Sequence, residues 1–130
     1  MSPEPTWRHW PGLGSLPVKS VHSVAVDPTD DQTRYASVVP CCGFYKTTNG
    51  GDDWTSTGSS GLFLHDAVVD PTSPTNVYVL ESLRGTYKTI DGGANWLLMN
   101  SGIAAGASFG ELAMDPNSPA TLYVTTQAGG

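Results

Sequence analysis

The most constraining feature of this sequence is an internal repeat. The Asp-Pro pair at 27–28 returns at 70–71 and at 115–116, at spacings of 43 and 45 residues. A second segment, 43–54, returns 42 residues later at 85–96. Repeats of this period include the four-stranded blade of a β-propeller, whose faces are buried only when neighbouring blades stack. The period therefore favours a repeat architecture over a single irregular domain.

Each copy is predicted to contain four strands, A to D. A short apolar run ends at Asp-Pro, and proline cannot continue a central strand. A second run rich in Tyr, Val and Thr follows, at 34–39, 76–80 and 121–126. A third strand, at 44–47 or 86–89, leads through a Gly-Gly turn to a fourth. No helical periodicity is present, so the sequence predicts an all-β, propeller-type fold of four-stranded antiparallel blades.

The repeat also predicts how the 130 residues are divided. Residues 1–20 would form strand D of a preceding blade and its connection, 21–58 blade 1, 59–100 blade 2, and 101–130 strands A and B of an incomplete blade 3. An unclosed array leaves strand edges and apolar blade faces exposed. We therefore expect self-association, as a ring or an open filament, or the remainder of a longer propeller.

Two eight-residue segments, 47–54 (TTNGGDDW) and 89–96 (TIDGGANW), follow the pattern Ser/Thr-x-Asp-x-Gly-x-x-Trp, the first with Asn in place of Asp. We call them the box turns. With the flanking Gly-x-Tyr-Lys-Thr and Val-Asp-Pro segments, they resemble the Asp boxes of BNR-repeat β-propellers, in the sortilin-like and xyloglucanase-like branch. The pattern positions are Thr47, Asn49, Gly51, Trp54, Thr89, Asp91, Gly93 and Trp96.

The resemblance covers nearly the whole chain and implies a propeller fold and an extracellular or cell-envelope location. It leaves function open, because sialidases, xyloglucan hydrolases, sorting receptors and assembly factors share the pattern. The residues themselves indicate a structural turn, in which the Asp or Asn side chain accepts backbone N–H groups and the tryptophan packs on the blade. A calcium loop would need alternating oxygen ligands and a distal Glu, which neither turn has. No metal and no cofactor is predicted.

Candidate ligand-binding residues lie on the opposite rim, where the D–A and B–C connections differ between copies. Loops on a rigid scaffold usually carry binding function. The candidates are His22, Phe63, His65, Asp66, Arg84, Phe109 and Glu111. The alternative is that these rim groups are solvated or bonded to neighbouring loops. A zinc site from the two histidines would need a third ligand. The adjacent pair Cys41 and Cys42 could be free thiols or a vicinal disulfide.

Two classes of function remain open. Asp66 and Glu111 are the weak candidates for the carboxylate pair of a glycoside hydrolase, and the arginine cluster of sialidases is not reproduced. We expect a non-catalytic scaffold that binds a protein or a glycan, and the alternative is a fragment of a secreted glycoside hydrolase. The net charge of −6, with scattered Lys and Arg, disfavours nucleic acid as a partner. No apolar stretch approaches the length of a membrane span.

Overall fold

A computed structural model describes residues 20–39, 43–57, 64–81, 84–99 and 108–127. Within these ranges the chain forms strands and no helix, so the predicted all-β class is confirmed. No helix of the described part is long and apolar enough to cross a membrane. The strands are β1 Ser20–Asp27, β2 Asp30–Val39, β3 Gly43–Thr47, β4 Thr55–Ser56, β5 Leu64–Val69, β6 Val77–Glu81, β7 Gly85–Thr89, β8 Leu97–Leu98, β9 Ser108–Asp115 and β10 Ser118–Gln127.

The strands form two four-stranded antiparallel sheets, β1–β2–β3–β4 and β5–β6–β7–β8, and a two-stranded sheet of β9 and β10. We call these sheets blade 1, blade 2 and blade 3. Within each sheet, every consecutive pair of strands is hydrogen-bonded, as the repeat predicted. The strand order places the A strands β1, β5 and β9 at one edge of their sheets and the D strands β4 and β8 at the other.

Strands β2 and β10 begin earlier than the sequence predicted. β2 begins at Asp30 and β10 at Ser118, because the A–B turns are tight: Asp27 is paired with Asp30, and Asp115 with Ser118. The Asp-Pro carboxylate closes each turn. Asp27 Oδ1 accepts the Thr29 N–H at 2.8 Å, in the pattern of an Asx turn.

The main apolar core lies between blades 1 and 2. It contains Tyr35 and Phe44 of blade 1 and Val77 and Val79 of blade 2. The Phe44 ring stacks on Tyr35 at 5.5 Å between centroids and meets the edge of Trp96 at 5.6 Å. Edge-to-face contacts of this kind add to the energy of burial. The tryptophan of the second box turn therefore packs against the preceding blade.

A second core joins blades 2 and 3. Tyr78 and Leu80 of β6 pack against Phe109 and Leu112 of β9. Trp54 lies on the other side of blade 1, in a cluster with Ala36 and Val38. Apolar side chains thus pack on both faces of blades 1 and 2, which is how propeller repeats obtain a core that no single repeat could form.

Candidate functional site

The innermost strand of each blade has an irregularity at the same repeat position. The β1 register shifts between Val21 and Ser23, at His22, and the β5 register shifts between Leu64 and Asp66, at His65. In blade 3, Val124 is paired with Leu112 and Thr126 with Phe109, so two β9 residues oppose one β10 residue. Such bulges occur at sheet edges and barrel rims, where they redirect side chains. This places all three bulges at the candidate rim.

Asp66 follows the bulge of β5, and hydrogen bonds occupy both of its carboxylate oxygens. Oδ1 accepts the Ala67 N–H at 2.9 Å, within the same strand. Oδ2 accepts the Leu112 N–H at 3.1 Å, across the seam between blades 2 and 3. This half-buried carboxylate therefore joins two innermost strands.

Glu111 lies beside this bond, with its side chain exposed. Its own N–H donates to Thr125 Oγ1 at 2.7 Å. The preceding residue is Gly110, at the repeat position that is histidine in the other two copies. A Cβ there would lie 2.6 Å from Thr125 Oγ1, closer than real Cβ atoms approach. The Thr125 hydroxyl thus occupies the space that a side chain would need, which explains the glycine.

The structure places the other candidates differently. Phe109 is buried in the core between blades 2 and 3, so most of its ring is committed to packing. Arg84 is exposed, and its N–H donates to Glu81 Oε2. The side chains of His22 and His65, together with Phe63, Cys41 and Cys42, lie outside the described residues.

Glu81 was missed by sequence reasoning. It is a buried carboxylate at the end of β6, at the repeat position where blade 1 has Val38. The signal was an acidic residue closing an otherwise apolar run, VYVLE. Burying a carboxylate is costly unless hydrogen bonds stabilise it. Among the described side chains, no group of three or more His, Cys, Asp or Glu residues could hold a metal ion.

The two box turns use matching hydrogen bonds. Thr47 Oγ1 donates to Asn49 Oδ1 at 2.9 Å and accepts the Gly51 N–H at 3.0 Å. Thr89 Oγ1 donates to Asp91 Oδ1 at 2.6 Å and accepts the Gly93 N–H at 2.9 Å. The third residue of each turn also accepts an N–H four residues later, at 2.9 Å in both. In both turns, the first and third side chains are therefore engaged in hydrogen bonds within the turn itself.

The two box turns differ in the charge of their third residue. Hydrogen bonds from Thr89 and then Asn95 hold the pKa of Asp91 at about 2, below its ordinary value of 3.8. The neutral Asn49 accepts the equivalent bonds from the Thr47 hydroxyl and the Asp53 N–H in the first turn, but its Nδ2 donates to Asp53 Oδ2, the reverse of the Asn95–Asp91 side-chain bond. The glycines of both turns have positive φ, 103° at Gly51 and 100° at Gly93, a region that other residues rarely adopt.

A groove of about 490 Å³ runs between the box turns, on the rim opposite the bulges. The carboxylates of Asp53 and Asp91 and the ammonium group of Lys46 line it, together with threonine and serine hydroxyls of blade 1. Lys46 Nζ donates to Gly92 O at 3.2 Å and lies 5.6 Å from the Tyr35 ring centroid. Sequence reasoning did not find this groove, because it exists only where two blades stack.

No protein-family model and no curated protein sequence matches the chain. Among solved structures, the chain is similar to an ancestral GH74 enzyme, with a TM-score of 0.69 and 23% identity over 83% of this chain and 16% of that one. It is also similar to the GH74 enzyme of Niastella koreensis (TM-score 0.69, 20% identity, 82% of this chain, 19% of that chain). A third similar structure is that of a nidogen/laminin complex (TM-score 0.62, 17% identity, 84% of this chain, 40% of that chain).

These likenesses define the class of protein by fold. The described part of the chain consists of β-propeller blades: two four-stranded antiparallel sheets and one two-stranded sheet, packed face to face along their innermost strands. It spans less than half of the length of each of these three structures. At identities of 17–23% the likeness concerns the fold, and function has to be argued from the residues.

Proposed function

We propose that this chain is a non-catalytic propeller scaffold that binds a protein or a glycan. The observation that carries the proposal is the bonding of Asp66, whose two oxygens accept the N–H groups of Ala67 and Leu112. A general acid or base must present an oxygen to a proton of the substrate. A carboxylate held by two backbone N–H groups is suited to joining blades instead.

The box turns support assignment to the Asp-box, BNR-repeat branch of propellers. Their Thr–Asn and Thr–Asp bonds join the first and third pattern residues of each turn. The resemblance to this branch implies an extracellular or cell-envelope location, which the proposal includes.

The groove between the box turns supports a polar ligand. Its hydroxyl, amide and carboxylate groups suit the hydroxyls of a glycan or the polar groups of a peptide. The likeness to a nidogen/laminin complex favours the protein arm of the proposal. The overall negative charge makes an anionic ligand unfavourable.

Open blade faces support self-association. Tyr35 is 1% exposed against blade 2, and Tyr78 is 8% exposed against blade 3. Tyr123, the third member of this column, is 62% exposed. Val24 and Val26, on the other side of the array, are also exposed. The pattern within the chain indicates that another blade, from a copy or from a longer chain, covers Tyr123.

A second candidate function is part of a glycoside hydrolase propeller. The likeness to two GH74 enzymes and the exposed side chain of Glu111 beside the Asp66 seam favour it. Glycosidases need two carboxyl groups, about 5 Å apart for retention of configuration and about 6.5–9.5 Å apart for inversion. One exposed carboxylate at the rim could supply half of such a pair.

A hydrolysis screen on polysaccharides, run beside a glycan array, tests the two functions. The scaffold proposal expects binding without turnover for the full chain and for Asp66→Asn and Glu111→Gln. Asp52→Asn, an exposed carboxylate variant on the opposite rim that does not line the groove, is the matched control. Turnover that is abolished by Asp66→Asn or Glu111→Gln but retained by Asp52→Asn would establish the hydrolase and overturn the scaffold.

A further inference from the structure

The outer edge of blade 2 differs in chemistry from the outer edge of blade 1. β4 and its flanks carry hydroxyls and two aspartates, whereas β8 and its flanks carry apolar and neutral residues. In blade 1 the positions are Thr48, Asp52, Asp53, Thr55, Ser56 and Thr57, and in blade 2 they are Ile90, Ala94, Asn95, Leu97, Leu98 and Met99. Charges beside an edge strand protect it from pairing with another chain. Asp53 lies two residues before β4, whereas the one carboxylate of the second box turn, Asp91, lies six residues before β8 and no charged residue lies within two residues of β8.

The apolar residues of this edge are exposed. Leu97 is 66% exposed, Leu98 53% and Met99 47%. Scattered single apolar residues on a surface are normal, but three consecutive ones on an edge strand are not. They form a continuous apolar strip, which we call the β8 edge.

A stacked neighbouring blade does not account for the exposure of the β8 edge. Blade 1 has its neighbour in place, yet Thr55 and Ser56, the equivalents of Leu97 and Leu98, remain exposed. Thr57 is half-buried, because its Cγ2 would lie 3.1 Å from a Cβ at Gly93 of the next blade. A following blade would therefore cover part of Met99 and leave the two leucines in solvent.

None of the described strands pairs with the outer side of the β8 edge. The Met99 N–H donates to Thr86 O at 2.7 Å, so residue 99 turns its hydrogen-bonding groups toward β7. In an antiparallel ladder these groups alternate between the two sides of the strand at successive residues. Leu98 therefore directs its N–H and C=O away from the sheet.

From these observations we propose that the β8 edge pairs with the β8 edge of a second copy of this chain. Across a two-fold axis, Leu98 would face Leu98 of the second copy and exchange both N–H···O bonds with it. In that register Leu97 faces Met99 of the second copy, so every pair is apolar. Cross-strand apolar pairs of this kind stabilise a sheet.

The self-complementary register is what selects a second copy over an unrelated peptide. Leu97 and Leu98 point to opposite faces of the strand, so a partner strand must be apolar on both faces at adjacent positions. β8 itself has this sequence. Pairing would join two four-stranded blades into one eight-stranded sheet. The β8 edge is separate from the rims and from the face that carries Tyr123, so this pairing does not depend on the ligand proposed above.

Sedimentation analysis of the full chain over a concentration series tests the pairing. We expect a species of twice the 13.7 kDa chain mass that dissociates on dilution. Leu97→Thr/Leu98→Ser/Met99→Thr, which installs the blade 1 residues in the same strand, should lose this dimer. Ile90→Thr is the matched control: it removes an equally exposed apolar side chain of the same blade outside the β8 edge, installs the residue of the first box turn, and should leave the dimer intact.

Amide hydrogen exchange gives a readout that needs no variant. The Leu98 N–H should exchange about tenfold or more slowly in a concentrated sample than in a dilute one, because it becomes hydrogen-bonded in the dimer. A chain that stays monomeric, or a Leu98 amide insensitive to concentration, would overturn the proposal. So would association that survives the triple substitution but is lost in Tyr123→Thr, because the blade faces would then be the interface. Protection of Leu98 only on addition of an extended apolar peptide would assign the edge to a different partner.

Discussion

Substitution of Trp96 by alanine tests whether the box-turn tryptophans hold the blades together. Full removal of a buried tryptophan costs about 3–5 kcal/mol, and half of that applies to the half-buried Trp96. Loss of its edge contact with Phe44, at 5.6 Å, adds about 0.5–1.5 kcal/mol. The indole N–H is buried without a hydrogen-bond partner among the described residues, so its removal returns about 1 kcal/mol. The expected net loss is about 2 kcal/mol.

Urea denaturation followed by circular dichroism measures this loss. Arg84→Ala is the control, because its side chain is exposed and its backbone N–H bond to Glu81 survives the substitution. Exposed substitutions usually change stability by less than about 0.5 kcal/mol. Trp96→Phe should lose less than Trp96→Ala, because it keeps a ring against Phe44 and removes the unpartnered N–H. Equal denaturation midpoints for Trp96→Ala and Arg84→Ala would refute the packing role.

Three further predictions concern the turns and the rim. The pKa of Asp91 is about 2 in the folded chain, against an ordinary 3.8. Its contribution to stability is therefore present above about pH 4 and is lost as the pH falls toward 2. Asp91→Asn, which installs the residue of the first turn, should flatten this part of the stability–pH profile measured by thermal denaturation. Asp66→Ala should destabilise by about 1.5–3 kcal/mol, since it leaves the Leu112 N–H without its charged acceptor, and a denaturation midpoint equal to that of the parent would contradict the seam. Gly110→Ala should lower the melting temperature through the clash with Thr125, and Thr125→Ala in the same chain should relieve the clash.

The sequence predicts local structure in this chain well. The Asp-Pro turns and the bonds within the box turns follow from short segments read in isolation, and the four-strand order follows from the repeat period. Asp27 closes its own turn, and Thr89 and Asp91 bond to groups at most four residues away. Such features depend on residue type and spacing alone, so a single sequence is sufficient to derive them.

Features that depend on stacking could not be predicted in this way. The repeat showed that Asp66 and Glu111 occupy the same repeat position. It did not show that Asp66 accepts the Leu112 N–H of the next blade. It identified Trp96 as a packing residue without showing that its partner is Phe44 of the preceding blade. The bulge at His22 and His65 depends on cross-strand register, which alternating apolar patterns specify only to within a residue. The roles proposed for the rim candidates in ligand binding stay predictions.

The position of Trp96 on Phe44 has a consequence for synthesis of the protein. A ribosome releases blade 1 before the residues that cover its trailing face exist, so Tyr35 and Phe44 stay uncovered until the second box turn has emerged. During translation, stability is then gained at the contact between two repeats, which forms only after the following blade has been synthesised. Until then the nascent chain exposes the aromatic face of its last complete blade. That face is where chaperones would be expected to engage it.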